Sequence, residues 1–91
     1  MDEFFKLYDQ LREEYPLYLV FKSVNNRRWR LEVYGRKMAE NGSDASIITV
    51  EHDSRAQCFL DGLKLLEGSR ARLEKLTENL SQVFRAFKNH L

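Results

Sequence analysis

The sequence predicts an α+β fold whose elements follow in the order α-β-β-β-α-α. Apolar residues recur every three or four positions near both ends of the chain, which is typical of amphipathic helices. Between these regions lie three stretches rich in β-branched and aromatic residues, separated by short polar segments, which favours a three-stranded antiparallel meander. The chain has 91 residues, which suits one domain and is too short for two. We therefore expect residues 1–91 to form a single domain, with a sheet packed on helices and a long C-terminal helix.

The first predicted helix covers residues 2–14. Asp2 is a suitable N-cap, and Glu3 in the first turn favours the helix dipole. Pro16 disfavours helical geometry at the residue before it and so ends the helix. One face carries the apolar and aromatic residues Phe4, Leu7, Tyr8, Leu11 and Tyr15.

The first two strands, residues 17–23 and 28–34, are predicted to form a hairpin around Asn25-Asn26, because asparagine tolerates the backbone angles of tight turns. The second strand alternates strictly, which places its apolar residues on one side of the sheet. These residues are Trp29, Leu31 and Val33.

The register of this hairpin follows from burial. A two-residue loop would place Phe21 opposite Arg30 and mix the two faces, whereas a three-residue loop, 25–27, places Phe21 opposite Leu31. A slip of one residue moves every side chain to the other face, so burial favours the second register. Leu19 then pairs with Val33 and Lys22 with Arg30. The outer face carries Tyr18, Val20, Lys22, Arg28, Arg30, Glu32 and Tyr34.

Basic residues concentrate on this hairpin and its exit loop. Arginine interleaved with tyrosine on a sheet is suited to single-stranded nucleic acid, because the charges follow the phosphates and the rings stack on bases. The competing interpretation is an ordinary solvated face, since Glu32 lies among the positive charges. The candidates for binding nucleic acid or a partner are Lys22, Arg27, Arg28, Arg30, Tyr34, Arg36, Lys37 and Tyr18.

The third strand and second helix follow a loop at 35–44 that contains the turn signal Asn41-Gly42. The strand covers residues 45–51, and the helix covers about 54–67, capped by Asp53 or Ser54. The main apolar stripe of this helix contains Ala56, Phe59, Leu60 and Leu63, and a smaller stripe contains Cys58, Gly62 and Leu65. Two apolar stripes predict a helix that is covered on both sides.

The C-terminal helix, residues 70–90, has the most regular apolar pattern in the chain. Leu73, Leu76, Leu80, Val83 and Phe87 alternate steps of three and four, as in a coiled-coil seam, and Phe84 widens it. The seam either packs within the domain or is shared with a second copy, and both alternatives remain open. Because the second helix is too short to cover the seam, we expect a homodimer. Its candidate interface residues are Leu76, Leu80, Val83, Phe84 and Phe87.

The residue types that carry catalysis are few and scattered. His52 and His90 have no cysteine or second histidine at metal-binding spacing. Ser54 suits a helix cap, Cys58 suits a packing role inside a helix, and the four glycines form no phosphate loop. We therefore expect no enzymatic activity, no metal and no cofactor.

Charge and targeting signals narrow the location. The net charge is +1, from 15 basic and 14 acidic residues, which favours neither nucleic acid nor a membrane surface beyond a local patch. A single cysteine fits a reducing compartment. The N-terminus lacks the pattern of a signal peptide, and no apolar stretch approaches the length that spans a bilayer. We expect a cytoplasmic protein with no membrane contact.

Two resemblances bear on function. The order α-β-β-β-α over residues 2–67 resembles the double-stranded RNA-binding domain, but Asp53-Ser54-Arg55-Ala56-Gln57 holds one basic residue where that family has a lysine-rich stretch. The turn Val24-Asn25-Asn26 also lacks that family's Gly-Pro-x-His character, so we reject membership. The same order is similar to small phage-encoded inhibitors, including certain anti-CRISPR proteins. The leading hypothesis is thus a regulatory or inhibitory protein–protein interaction module of phage or mobile-element origin, and a nucleic-acid binder is the alternative.

Overall fold

The computed structural model describes the backbone of residues 1–89 and the side chains of residues 1–79. Within these residues there are three helices, α1 (Asp2–Glu14), α2 (Arg55–Glu67) and α3 (Arg70–Asn89). The three strands are β1 (Leu17–Asn25), β2 (Arg28–Gly35) and β3 (Ala45–His52). They form one antiparallel sheet in the order β1-β2-β3. The predicted α+β class and antiparallel sheet are confirmed.

The hairpin register is the one that burial favours. Phe21 lies opposite Leu31, Leu19 opposite Val33 and Lys22 opposite Arg30. The loop, however, is shorter than predicted, because Asn25 already pairs with Arg28 and a register shift falls between Ser23 and Asn25. A bulge at Val24 supplies the extra residue that the three-residue loop was expected to supply.

A second bulge lies in β3 and increases the buried apolar surface. The β2–β3 register shifts between Val33 and Tyr34, so Ile47 is the extra residue on β3. Ile47 and its neighbour Ile48 are both buried in the core, although consecutive residues of a regular strand point to opposite faces.

The helix ends follow the predicted signals in part. Pro16 ends α1, and Tyr15 before it has extended backbone angles. The expectation that Asp2 caps α1 is wrong, because Asp2 is already helical and the Met1 carbonyl accepts the amide hydrogen bond of Phe5. Ser54 caps α2, its hydroxyl accepting from the Gln57 amide at 3.2 Å.

The core lies between the inner face of the sheet and the helices α1 and α2. The ring of Phe59 on α2 packs edge-on against Phe4 of α1 and Phe21 of β1, with centroid distances of 5.3 and 5.0 Å. Trp29 stacks on Phe21 at 5.3 Å, on the inner face as predicted. Leu31 is fully buried beneath this cluster, and a leucine of this kind contributes about 1.5–3 kcal/mol to the free energy of unfolding.

The orientation of α2 differs from the prediction. Its buried residues are Cys58, Phe59, Gly62 and Leu66, whereas Ala56, Leu60 and Leu65 are exposed. The predicted burial on two sides is therefore wrong, and of the predicted main stripe only Phe59 and the partly buried Leu63 pack into the core. The reason is Gly62: its missing side chain lets the Cys58–Gly62–Leu66 ridge approach the sheet closely, so this ridge turns inward.

The first turns of α3 attach it to the domain. Leu73 is fully buried and Leu76 packs partly against the core, while Arg70 forms an ion pair with Glu14 at 2.9 Å. The Cα radius of gyration is 15.1 Å, against about 12 Å for a compact domain of this length. The molecule measures 52 × 25 × 16 Å, so the fold is elongated.

Candidate interaction surfaces

The outer face of the sheet carries most of the predicted hairpin candidates. Tyr18 and Tyr34 lie opposite each other on β1 and β2, and their rings stack with centroids 5.3 Å apart. The Arg36 guanidinium lies over the Tyr18 ring, 5.2 Å from its centroid. The structure therefore brings Tyr18, Tyr34 and Arg36 together in one cluster.

Two of the predicted arginines form ion pairs with carboxylates across the sheet. The Arg30 guanidinium bonds Glu51 on β3, with Nε 2.7 Å from a carboxylate oxygen, and also lies 3.6 Å from Glu32. Arg28 lies 3.7 Å from Glu51 and 3.2 Å from Asp53. These contacts compensate much of the positive charge that the hairpin sequence suggested.

Glu32 is the most buried charged side chain on this face. Only 6% of it is exposed, and it accepts a hydrogen bond from the Tyr34 hydroxyl. That bond is the largest cause of a raised Tyr34 pKa, because the carboxylate stabilises the protonated phenol. Glu32 thus fixes the outward tyrosine and arginine side chains on either side of it.

Asp44 holds the exit loop against the same face. Its carboxylate accepts a hydrogen bond from the Tyr18 hydroxyl at 2.5 Å and from the Lys37 amide at 2.9 Å. The Tyr18 bond first, and the Lys37 amide second, lower the pKa of Asp44 below its usual 3.8. Lys37 has a left-handed backbone, with φ of 56°, and the Asp44 contact fixes that loop conformation.

The remaining basic candidates extend into solvent around this face. Lys22 lies on β1, Arg27 in the hairpin turn and Lys37 in the exit loop, and all three are exposed. They border the ion-paired centre, and Lys22 lies directly opposite Arg30 on the neighbouring strand.

An apolar cleft between α1 and α2 was not predicted from the sequence. It has a volume of about 440 Å³ and is lined by Met1, Asp2, Glu3, Phe4, Phe59, Leu60 and Leu63. Met1 and Leu60 are 63% and 50% exposed, and the neighbouring Phe5 is 38% exposed. One signal was present in the sequence: adjacent Phe4 and Phe5 cannot both face the core from one helix.

The predicted dimer residues lie along α3. Leu76 also borders a second cleft with Arg72 and the loop before β3. The side chains of Leu80, Val83, Phe84 and Phe87 lie outside the described residues. Their place in the seam therefore rests on the sequence pattern.

The predicted structural roles of the reactive residue types are visible in detail. His52 accepts the Ser54 amide hydrogen bond through Nδ1 at 2.9 Å, and Ser54 caps α2. The Cys58 thiol is buried and lies 3.5 Å from the Trp29 carbonyl. Burial raises its pKa, which disfavours the reactive thiolate. His90 lies outside the described residues.

Three further observations concern partners. Among the described residues, no group of three or more histidine, cysteine, aspartate or glutamate side chains is placed to hold a metal ion. No helix in the described part of the chain is long and apolar enough to cross a membrane. Comparisons with protein-family models, with curated proteins and with solved structures found no significant match.

Proposed function

We propose that this protein is a small regulatory or inhibitory module that acts without catalysis, by binding another protein as a homodimer. The observation that carries the proposal is the apolar cleft between α1 and α2. Exposed apolar patches flanked by polar residues are typical of protein–protein contact sites. Leu60 lines the cleft and Phe5 lies beside it, and both expose large apolar side chains to water.

The proposed partner surface is the cleft together with the exposed Phe5 ring beside it. Asp2 and Glu3 lie at one end of the cleft, so a partner with an apolar anchor and an adjacent basic residue is complementary to it. A single aromatic or aliphatic anchor in such a cleft commonly supplies most of the binding free energy.

The dimer part of the proposal is supported by α3. Leu73 and Leu76 begin an apolar seam, and the sequence continues it through Leu80 and Val83 for two more turns. A second copy of the same helix provides an equally apolar surface, as two-fold interfaces require.

The nucleic-acid alternative is favoured by the Tyr18–Tyr34–Arg36 cluster on the outer face. It receives less support than protein binding, because Arg28 and Arg30 already contact carboxylates. A phosphate would have to compete with Glu51 for both arginines.

A matched pair of variants tests the cleft. Leu60 and Leu65 are equally exposed, at 50% and 49%, but only Leu60 lines the cleft. With the protein as bait in lysate of its source cell, we expect Leu60→Glu to lose the captured partner and Leu65→Glu to retain it. Equal capture by both variants, or no specific capture by the unmodified chain, contradicts the proposal.

A second matched pair tests the seam by light scattering at micromolar concentration. Val83→Glu places a charge in the predicted seam, and Gln82→Glu adds a similar charge one residue away from it. We expect Val83→Glu to lower the mass of the assembly and Gln82→Glu to leave it unchanged. An unmodified chain that is monomeric at 10.8 kDa contradicts the dimer.

A further inference from the structure

The free edge of β1 is unusually regular. The order β1-β2-β3 leaves β1 and β3 at the two edges of the sheet. On β1 the pairing runs without interruption from Leu17 to Ser23, and the first irregularity comes only at Val24. Long regular edge strands are ready templates for pairing with another strand.

The hydrogen-bond pattern identifies which groups face outward. The Arg36 amide donates to the Pro16 carbonyl at 2.8 Å. Pro16 and Arg36 are therefore a hydrogen-bonded pair at the start of the ladder between β1 and β2. Bonded positions alternate along an antiparallel ladder, so Tyr18, Val20 and Lys22 bond β2 and the residues between them do not. The amides and carbonyls of Leu19 and Phe21 therefore point away from the sheet, and within the described residues nothing bonds to them.

The opposite edge is protected, in contrast. β3 is interrupted by the bulge at Ile47, and the Arg72 guanidinium donates to the Ile47 carbonyl at 3.4 Å. Bulges and charged side chains are the usual means of blocking an edge strand. In β1, Lys22 is the only charged residue between Leu17 and Ser23.

We propose that β1 pairs with β1 of a second copy, antiparallel and centred on Val20, to form a continuous six-stranded sheet. In this register Leu19 lies opposite Phe21 of the second copy, and both are half-buried apolar side chains that gain cover. Lys22 lies opposite Tyr18 of the second copy, where an ammonium group and an aromatic ring attract each other. The two Lys22 side chains are kept apart, so the strand is complementary to itself.

This interface goes beyond the proposed function, because it adds a second two-fold contact to the proposed α3 dimer. The first turns of α3 lie beside β3, as the Arg72 contact shows, and β3 is the edge of the sheet opposite to β1. Together the two interfaces would produce an assembly larger than a dimer.

Disulfide trapping tests the β1 pairing. Val20 would lie on the two-fold axis in a non-bonded pair, where Cα atoms are about 4.5 Å apart, within the range that a disulfide bridges. We expect Val20→Cys, in the Val83→Glu background and under mild oxidation, to form a covalent species of twice 10.8 kDa. The control is Val24→Cys, which is 39% exposed but lies beyond the paired segment. Cross-linking of Val20→Cys should be roughly a hundredfold faster, because pairing raises the local thiol concentration.

A second variant gives an independent readout by mass. Leu19→Pro removes an amide that faces the free edge and breaks no bond to β2. In the Val83→Glu background we expect it to reduce the mass from twice 10.8 kDa to 10.8 kDa. The proposal is overturned if folded Val20→Cys cross-links no faster than Val24→Cys, or if Val83→Glu alone is monomeric. If Val83→Glu is monomeric, the β1 edge would instead be available to pair with an extended segment of a different protein. If the unmodified chain is dimeric while Val20→Cys fails to cross-link, the α3 dimer stands and only the β1 pairing fails.

Discussion

Gly62 on α2 lies so close to Leu31 on β2 that a side chain has no room between them. A Cβ atom at Gly62 would lie 2.7 Å from Leu31 Cδ2 and 3.2 Å from Phe4 Cε2. One missing methyl group therefore sets the distance at which α2 packs on both the sheet and α1.

We predict that Gly62→Ala destabilises the protein by about 1–3 kcal/mol, because the added carbon forces the core side chains to shift. Gly68→Ala is the matched control, since its added Cβ meets nothing closer than 3.7 Å. That control should be neutral or stabilising by up to about 1 kcal/mol, through the lower entropy of its unfolded chain. Urea unfolding followed by circular dichroism measures both. Equal stability of the two variants contradicts the close packing of α2.

The Asp44 contacts predict a loss of stability in acid. The pKa of Asp44 is lowered in the folded state, chiefly by the Tyr18 hydroxyl, so its contribution is fully present above the ordinary value of 3.8. It is lost as the pH falls through the lower folded value. Asp44→Asn should therefore be less stable than the unmodified protein at pH 7, with a difference that shrinks below about pH 4. Urea midpoints across this range measure it.

Tyr18→Phe is the partner variant for this test. It removes the donor that is the largest cause of the lowered Asp44 pKa, so Asp44→Asn should cost less in the Tyr18→Phe background than in the unmodified protein. Additive effects of the two substitutions would mean that the 2.5 Å contact does not couple them.

The Cys58 thiol should resist labelling in the folded state. It is fully buried, and burial raises its pKa, so both access and the thiolate fraction are low. We expect an aromatic disulfide reagent to react slowly in native buffer and at once in urea. Rapid labelling of the folded chain would contradict the packing of α2 on the sheet.

The ion pairs on the outer face predict that the protein does not bind single-stranded nucleic acid. Because Arg28 and Arg30 contact Glu51, we expect no complex with a single-stranded oligonucleotide in a gel shift at about 50 mM salt. Glu51→Gln should remove one carboxylate from each arginine, leaving Arg28 with Asp53 and Arg30 with Glu32, and increase any residual binding. A complex of the unmodified protein that weakens steeply with added salt would favour the alternative function.

The sequence predicts the sheet more reliably than the surfaces. The register of Phe21 and Leu31 follows from alternation, since a slip of one residue would expose the core. The inward face of α2 could not be predicted in the same way, because Gly62 gives no hydrophobic signal although it makes the closest approach. The pairing of Arg30 with Glu51 depends on the β2–β3 register, which the loop at 36–44 and the bulge at Ile47 conceal. The cleft depends on how α1 and α2 meet, and the exposure of Leu60 follows from the same rotation of α2.

For the protein partner proposed above, the compensated charges of the outer sheet face also affect the rate of association. With Arg28 and Arg30 paired and a net charge of +1, the molecule has little long-range field to guide an approaching protein. Encounter at the apolar cleft should then proceed at the unguided rate of about 10⁵–10⁶ M⁻¹s⁻¹ and change little with ionic strength. The lifetime of the complex, set by how well the cleft holds its anchor, would then decide how long regulation lasts.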